Sequence, residues 1–167
     1  MYKKSKSVKE PENFEKGYDY AVFLLSLRLR TTGEIREKMK NRGYTLAVSE
    51  KVIADLLEQK FLDDQKYAEI FLDNLKKYKN FGFYGIKKKM MEKRLPSSII
   101  DRVLEEGLLV DEEIKIAERL LEKFTLSNAA KRPRQKSGFN KAENKKIAQR
   151  LSSRGFRSEV LARILFE

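Results

Sequence analysis

The side chains that could do chemistry in this chain are carboxylates, lysines and arginines, because the sequence contains no histidine and no cysteine. This composition excludes disulfides, thiolate or imidazole metal sites, cysteine nucleophiles and every catalytic triad that uses histidine. The glycine-rich phosphate-binding patterns of nucleotide-hydrolysing enzymes are also absent from the sequence. We therefore expect a protein that works by binding rather than as an enzyme, with no cofactor and no metal ion.

Acidic residues cluster at two places in the sequence. The clusters are Asp63, Asp64 and Glu69, and Asp111, Glu112, Glu113 and Glu118. Carboxylates are favoured at helix N-termini, where they accept hydrogen bonds from free N–H groups and interact with the helix dipole. A two-metal nuclease would also need clustered carboxylates, but no other residues complete such a site. Helix capping is therefore the expected role, and a metal-dependent nuclease is an alternative.

Basic residues recur at fixed distances from three isoleucines, Ile35, Ile86 and Ile147. The residues three and seven positions after each isoleucine are Lys38 and Arg42, Lys89 and Lys93, and Arg150 and Arg154. Because residues four apart lie on one helix face, each pair would form a row of two cations. Stacked repeats would join these rows into a track that follows a charged polymer. For the later member of each row, stabilisation of a helix C-terminus is the alternative.

The chain carries 37 lysines and arginines against 25 acidic residues, and the resulting net charge of +12 favours an anionic partner such as nucleic acid. The excess is concentrated between Lys123 and Arg157, where eleven basic residues accompany one acid, Glu143. We predict that the residues in contact with this partner are Arg28, Arg30, Lys38, Arg42, Lys87, Lys89, Lys93, Lys145, Lys146, Arg150 and Arg154.

Aromatic residues alternate with lysines in the middle of the chain. The alternating residues are Lys76, Lys77, Lys79, Phe81, Phe83 and Tyr84. This arrangement could bind phosphates and stacked bases, but we expect the aromatic rings to close the core between helices. The glycines of Gly82-Phe83-Tyr84-Gly85 have the GxxG spacing of RNA-binding KH loops, although no strands surround them.

The elements that must position these residues are helices, because three segments of the sequence repeat one helical pattern. Each repeat begins with a bulky residue, an alanine, two variable residues and two large apolar residues, at 20–25, 67–72 and 116–121. The three isoleucines follow, each with large apolar residues four and nine positions on, and a third apolar helix pattern closes each repeat. We predict an all-α fold of three tandem three-helix repeats, similar to helix-turn-helix modules, in a curved, elongated arrangement.

The predicted boundaries follow from these repeats and from changes in composition. Residues 1–16 are predicted to form a flexible charged leader, and the repeats to occupy 17–61, 62–106 and 107–167. The third repeat contains a basic insertion at 131–140, where proline, glycine, serine and charged residues disfavour a helix.

Several single residues mark helix ends. Thr31 with Glu34 has the spacing of a capping box, and Gly43 and Gly155 stand where a left-handed C-cap is expected. Pro96 suits a first helical turn. No apolar run approaches the roughly 20 residues that a membrane-spanning helix needs, and the first residues lack an apolar signal segment. We expect a cytoplasmic monomer that does not enter membranes.

Three motifs stand at fixed places in the repeats. Residues 28–35 read Arg-Leu-Arg-Thr-Thr-Gly-Glu-Ile after two leucines, residues 62–68 read Leu-Asp-Asp-Gln-Lys-Tyr-Ala followed by Phe71, and residues 154–156 read Arg-Gly-Phe. Together they resemble the RecX family, bacterial regulatory proteins of the RecA recombinase, over residues 18–165. The second motif is the most specific. The chain departs from the family pattern at Gly85, where a basic residue is usual, and at Arg94, where a glycine usually ends the helix.

The resemblance implies a function as well as a fold. Members of the family bind the RecA filament on single-stranded DNA, touching the DNA directly or through RecA, and modulate RecA, commonly by inhibition. Strand exchange, ATPase and coprotease activities of RecA would be affected, and with them DNA repair, recombination and the SOS response. The alternative that the residues leave open is a general nucleic-acid-binding module of helix-turn-helix type, which would bind DNA alone with sequence preference.

Overall fold

The computed structural model describes residues 8–129 and 141–166, and in these ranges the chain forms nine α-helices and no β-strand. In chain order the helices are α1 (Phe14–Leu27), α2 (Thr32–Arg42), α3 (Leu46–Glu58), α4 (Asp64–Tyr78), α5 (Phe83–Glu92), α6 (Ser97–Gly107), α7 (Val110–Ala129), α8 (Lys141–Ser153) and α9 (Ser158–Phe166). The predicted all-α fold is confirmed. Residues 1–7 and the predicted insertion at 131–140 lie outside the described ranges.

The helices of the described ranges fall into three consecutive sets of three, in which equivalent side chains are buried. The first helix of each set has an alanine with no exposed surface, at Ala21, Ala68 and Ala117. The second helix of each set buries the isoleucine from which the repeat positions were counted. These residues, Ile35, Ile86 and Ile147, are at most 2% exposed. A small residue at this place in the first helix of each set lets a neighbouring helix approach closely.

The chain divides into two compact units by its internal contacts. Unit 1 comprises Met1–Ala68 with Met91–Ile99, and unit 2 comprises Glu69–Met90 with Ile100–Glu167. Helices α4, α5 and α6 each contribute residues to both units. The second three-helix set is therefore shared between two packing units.

Each unit has its own apolar core. In unit 1, α3 packs against α1 and α2, and Met39, Val52 and Leu56 have no exposed surface. In unit 2, α9 packs against α7 and α8, and Ile116 and Leu151 are at most 2% exposed. Burial of these apolar side chains stabilises the packing of the helices within each unit.

Three helix ends share a left-handed residue at the same place in the repeat. Gly43 follows α2 with φ 101° and Gly155 follows α8 with φ 76°, which confirms both as C-caps. The equivalent residue after α5, Arg94, has φ 58°. Although Arg94 replaces the glycine that usually ends this helix, it adopts the left-handed conformation that glycine usually provides.

The structure differs from the predicted leader at residues 8–16. Helix α1 begins at Phe14, and Asn13 caps it by accepting a 2.9 Å hydrogen bond from the backbone N–H of Lys16. The N–H of Val8 donates to the carbonyl of Arg42 at 3.0 Å. Residues 8–16 are therefore part of unit 1.

Candidate nucleic-acid interface

Helix α8 carries a basic exposed face. Ile147 and Leu151 are 2% and 0% exposed and fix the side of the helix that is buried. Lys145, Lys146 and Arg150 are exposed, and the two lysines form no ion pair or hydrogen bond with the described residues, whereas Arg150 has a contact within the chain. Four basic residues and one acid in this helix produce a positive local field. The two lysines are available to an external anion.

The later member of each predicted row contacts its own chain. The Arg42 guanidinium lies 5.5 Å from the centre of a tyrosine ring in α1. The Lys93 ammonium lies 3.8 Å from a carboxylate oxygen of Glu34, and Arg154 donates to the backbone carbonyl of Lys79 at 3.0 Å. All three side chains are half-buried. These contacts hold local structure, so any role in binding would need the cations to serve two partners.

Arg28 and Glu34 form a bidentate ion pair at the start of α2. Nη2 and Nη1 of Arg28 donate to the two carboxylate oxygens of Glu34 at 2.9 and 3.0 Å. Burial of Glu34 disfavours its charge, but the hydrogen bonds from Arg28 and the charges of Arg28 and Lys93 outweigh burial and hold the pKa of Glu34 below its ordinary value. Arg30 is half-buried and donates to a backbone carbonyl of α1 at 3.0 Å.

The three consecutive lysines of α5 differ in their surroundings, because successive residues of a helix point in directions about 100° apart. Lys87 forms a 2.7 Å ion pair with Asp101, and Lys89 is half-buried with a contact inside the chain. Lys88 is exposed and has no ion pair or hydrogen bond with the described residues. Lys38, on α2, is exposed in the same way. Of the six cations in the predicted track, Lys38 is the one for which the described residues provide no partner.

The first acidic cluster caps two helices. Asp63 accepts a 2.9 Å hydrogen bond from the backbone N–H of Lys66 in the first turn of α4. Asp64, 7% exposed, accepts from both the backbone N–H and the hydroxyl of Thr32, the first residue of α2, at 2.8 and 2.6 Å. Among the described residues no group of three or more acids could hold a metal ion. Helix capping accounts for Asp63 and Asp64.

Glu113 holds the start of α5 as Asp64 holds the start of α2. It has no exposed surface, and its Oε1 accepts hydrogen bonds from the backbone N–H groups of Phe83 and Arg157 at 2.9 and 3.0 Å. Its Oε2 accepts from Nε of Arg157. Sequence reasoning missed this partnership. The signal was present, because Asp64 and Glu113 each stand four residues before the buried alanine of their repeat.

The GxxG spacing is a packing feature of unit 2. The N–H of Gly82 donates to the carbonyl of Arg154 at 3.1 Å, and the N–H of Tyr84 donates to the carbonyl of Gly155 at 2.8 Å. A Cβ on Gly85 would lie 2.1 Å from the Arg154 carbonyl oxygen. The two glycines let the start of α5 lie against the turn between α8 and α9, so their spacing has no relation to a KH loop.

The aromatic residues of this segment divide into two groups. Phe81 and Phe83 are half-buried, with the guanidinium groups of Arg154 and Arg157 at 5.3 and 4.9 Å from their ring centres. Both phenylalanines serve packing, as expected. Tyr84 does not, because 59% of its surface is exposed.

Each of the two units carries exposed lysines on its helices, and such side chains suit an anionic ligand. The exposed lysines without an ion pair or hydrogen bond to described residues include Lys38, Lys88, Lys145 and Lys146. No helix in the described part of the chain is long and apolar enough to cross a membrane.

Comparison with known proteins finds similarity to RecX proteins along most of the sequence. Residues 18–56 match the family model of the first three-helix domain of RecX. A regulatory protein RecX from Streptococcus uberis is 28% identical over 150 residues, covering 90% of this chain and 54% of that protein. One from Clostridium tetani is 28% identical, covering 98% of this chain and 72% of that protein. The chain spans about half the length of several of the curated relatives that it matches, 54% in the Streptococcus and Geobacillus proteins.

Solved structures show the same fold. The crystal structure of RecX from Lactobacillus salivarius superposes with a TM-score of 0.78 at 22% identity, covering 90% of this chain and 93% of that one. A second crystal structure of a regulatory protein RecX gives a TM-score of 0.76 at 22% identity, covering 91% of this chain and 72% of that one. The matched domain, the curated relatives and the shared fold agree, and together they support the RecX family for this chain.

Proposed function

We propose that this protein is a non-enzymatic regulator that binds the RecA filament on single-stranded DNA and inhibits its recombinase, ATPase and coprotease activities. The observation that carries the proposal is the exposed basic face of α8, in a chain whose relatives are named regulatory proteins. A filament of protein on DNA is a long polymer with repeated negative charge. Exposed lysines on rigid helices suit such a partner. The helices are already folded, so only the lysine side chains become ordered when they contact phosphates or acidic side chains.

The proposal also covers the setting in which the protein works. It acts as a monomer in the bacterial cytoplasm, without a metal or cofactor. RecA subunits and single-stranded DNA are its partners. The contact residues are the basic residues predicted from the sequence, and the lysines Lys145 and Lys146 are the primary candidates because no described partner occupies them.

The runner-up is a general nucleic-acid-binding module of helix-turn-helix type. The observation in its favour is that the basic α8 is the middle helix of a three-helix set. Such a module would bind naked DNA with sequence preference, whereas the regulator should prefer RecA-coated strands. The order of affinity for these two partners separates the two functions.

The test is RecA-dependent ATP hydrolysis on single-stranded DNA, measured with and without this protein at fewer than one molecule per RecA subunit. We expect inhibition that persists when free single strands are in excess. Inhibition that needs the protein to coat all the DNA, and that excess strands abolish, would replace the proposal with simple competition for DNA. Turnover of ATP by the protein alone would contradict the non-enzymatic part.

A pair of matched variants tests the α8 face. Lys145→Glu with Lys146→Glu should weaken filament binding and flatten its salt dependence, since each phosphate contact on a single strand contributes about 0.7 to the log–log slope. Lys115→Glu with Lys123→Glu reverses two exposed lysines of α7 and makes the same change in net charge. Equal losses in both double variants would mean that net charge, and not the α8 face, controls binding.

A further inference from the structure

The backbone of Tyr84 is fixed while its side chain is exposed. Tyr84 is the second residue of α5, and its N–H donates to the carbonyl of Gly155 at 2.8 Å. The close approach of Gly85 to the carbonyl of Arg154 holds the same stretch of backbone. Tyr84 nevertheless keeps 59% of its residue surface exposed to solvent. An exposed ring on a constrained backbone loses little conformational entropy when it binds a ligand.

The ring of Tyr84 is supported from beneath by a second ring. Phe83 and Tyr84 meet edge to face, with centres 5.3 Å apart and planes at 82°. Phe83 is itself held, because its N–H donates to buried Glu113 at 2.9 Å and the Arg157 guanidinium lies 4.9 Å from its ring centre. Tyr84 is therefore the outermost ring of a supported aromatic pair.

The charges around this pair favour a negatively charged ligand. Lys88 stands one helical turn after Tyr84, is exposed, and has no ion pair or hydrogen bond with the described residues. Arg154 precedes the glycine that accepts from Tyr84. The acids in contact with this region are already neutralised, since Glu113 pairs with Arg157 and Asp101 pairs with Lys87.

We infer that the Tyr84 ring and Lys88 form a stacking site for an unpaired base of single-stranded nucleic acid, with Lys88 on the adjacent phosphate. Tyrosine rings that stack on bases beside a cation are the recurring device of single-strand-binding surfaces. A duplex does not fit the site, because its base faces are covered by neighbouring base pairs. The inference rests on the proposed function, in which the protein meets single-stranded DNA. It adds a DNA contact outside the three predicted rows of two cations.

The chain contains no tryptophan, so Tyr84→Trp introduces a single fluorescent reporter at the site. The probe is an oligothymidylate of about 16 nucleotides, the upper site size of single-strand-binding modules, added without RecA. We expect the reporter to be quenched as the oligonucleotide binds. Tyr78→Trp is the control, because Tyr78 is similarly exposed, at 62%, but the Lys77 ammonium lies over the face of its ring, 5.3 Å from the ring centre, where a base would have to stack. Its fluorescence should change much less.

Affinity measurements complete the test. Tyr84→Leu should weaken oligonucleotide binding roughly 5- to 140-fold, the range that one lost base stack produces, while Tyr84→Phe should stay within about twofold of the unchanged protein. A helical circular dichroism spectrum for both variants verifies the fold. Unchanged affinity in Tyr84→Leu, or quenching of Tyr84→Trp by RecA but not by the oligonucleotide, would overturn the inference.

The inference and the proposed function fail in different assays. If the unchanged protein inhibits RecA yet does not bind the oligonucleotide, the stacking site is refuted and the regulatory function stands. If the protein binds the oligonucleotide through Tyr84 but leaves RecA activity unaltered, the stacking site stands and the regulatory function is refuted.

Discussion

Replacing Glu113 by glutamine should destabilise the protein by about 3 kcal/mol, the lower end of the cost of breaking a buried ion pair by removing one partner. Glutamine can keep its oxygen where Oε1 accepts the N–H groups of Phe83 and Arg157, at 2.9 and 3.0 Å. Its amide NH2 would then face Nε of Arg157, so two donors would oppose each other. The lower end applies because the Arg157 side chain is 21% exposed and has a second carboxylate, that of Glu159, at 3.7 Å.

The assay is urea unfolding followed by circular dichroism at neutral pH, with a double-mutant cycle. Once Arg157→Met has removed the guanidinium, Glu113→Gln should cost at least about 1.5 kcal/mol less than in the unchanged protein. Glu159→Gln is the control and should cost less than about 1 kcal/mol, since the Glu159 side chain is 57% exposed. A loss below about 0.5 kcal/mol for Glu113→Gln, or an additive cycle, would refute the reasoning, because the pair would then not hold the start of α5.

Two further predictions concern unit 1. Gly33→Ala should lower the unfolding free energy by about 1–3 kcal/mol, because its Cβ would lie 2.4 Å from the carbonyl oxygen of Arg94. Gly17→Ala should change the unfolding free energy by less than about 1 kcal/mol, because the atom nearest to its Cβ, at 3.1 Å, is the end of a side chain. Equal urea midpoints for the two variants would contradict this difference. The depressed pKa of Glu34 adds stability that is present above the unfolded pKa of about 4.3 and is lost as the pH falls through the folded pKa. The stability difference between the unchanged protein and Glu34→Gln, which cannot form the charged pair with Arg28, should therefore shrink in urea titrations as the pH falls below about 4.3. A constant difference would rule out this linkage.

The sequence by itself determined the helices and their repetition. Apolar residues at helical spacing, the buried alanines of the three first helices and the left-handed glycines Gly43 and Gly155 are local signals, because each depends on neighbours within a few residues. The motif around Asp63 and Asp64, which indicated the family, is also a local signal, because it consists of residues that are adjacent in the sequence. The exception among the local signals is Arg94, whose left-handed φ of 58° is enforced by the turn and not by its own residue type.

Only the tertiary structure decided which charged and aromatic residues remain available to a partner. The sequence predicted the same binding role for Arg28, Lys87 and Arg154 as for Lys145 and Lys146. In the structure the first three have internal partners, and Lys145 and Lys146 have none among the described residues. The availability of a cation depends on the acid or carbonyl that faces it.

The partners in this protein are far apart along the chain. Thr32 and Asp64 are 32 residues apart, Phe83 and Glu113 are 30 apart, and Glu113 and Arg157 are 44 apart. Helical periodicity fixes which side of a helix a residue occupies, but it carries no information about the residue that a distant segment brings against that side. Packing of helix starts against later turns therefore decided which lysines and which tyrosine face solvent.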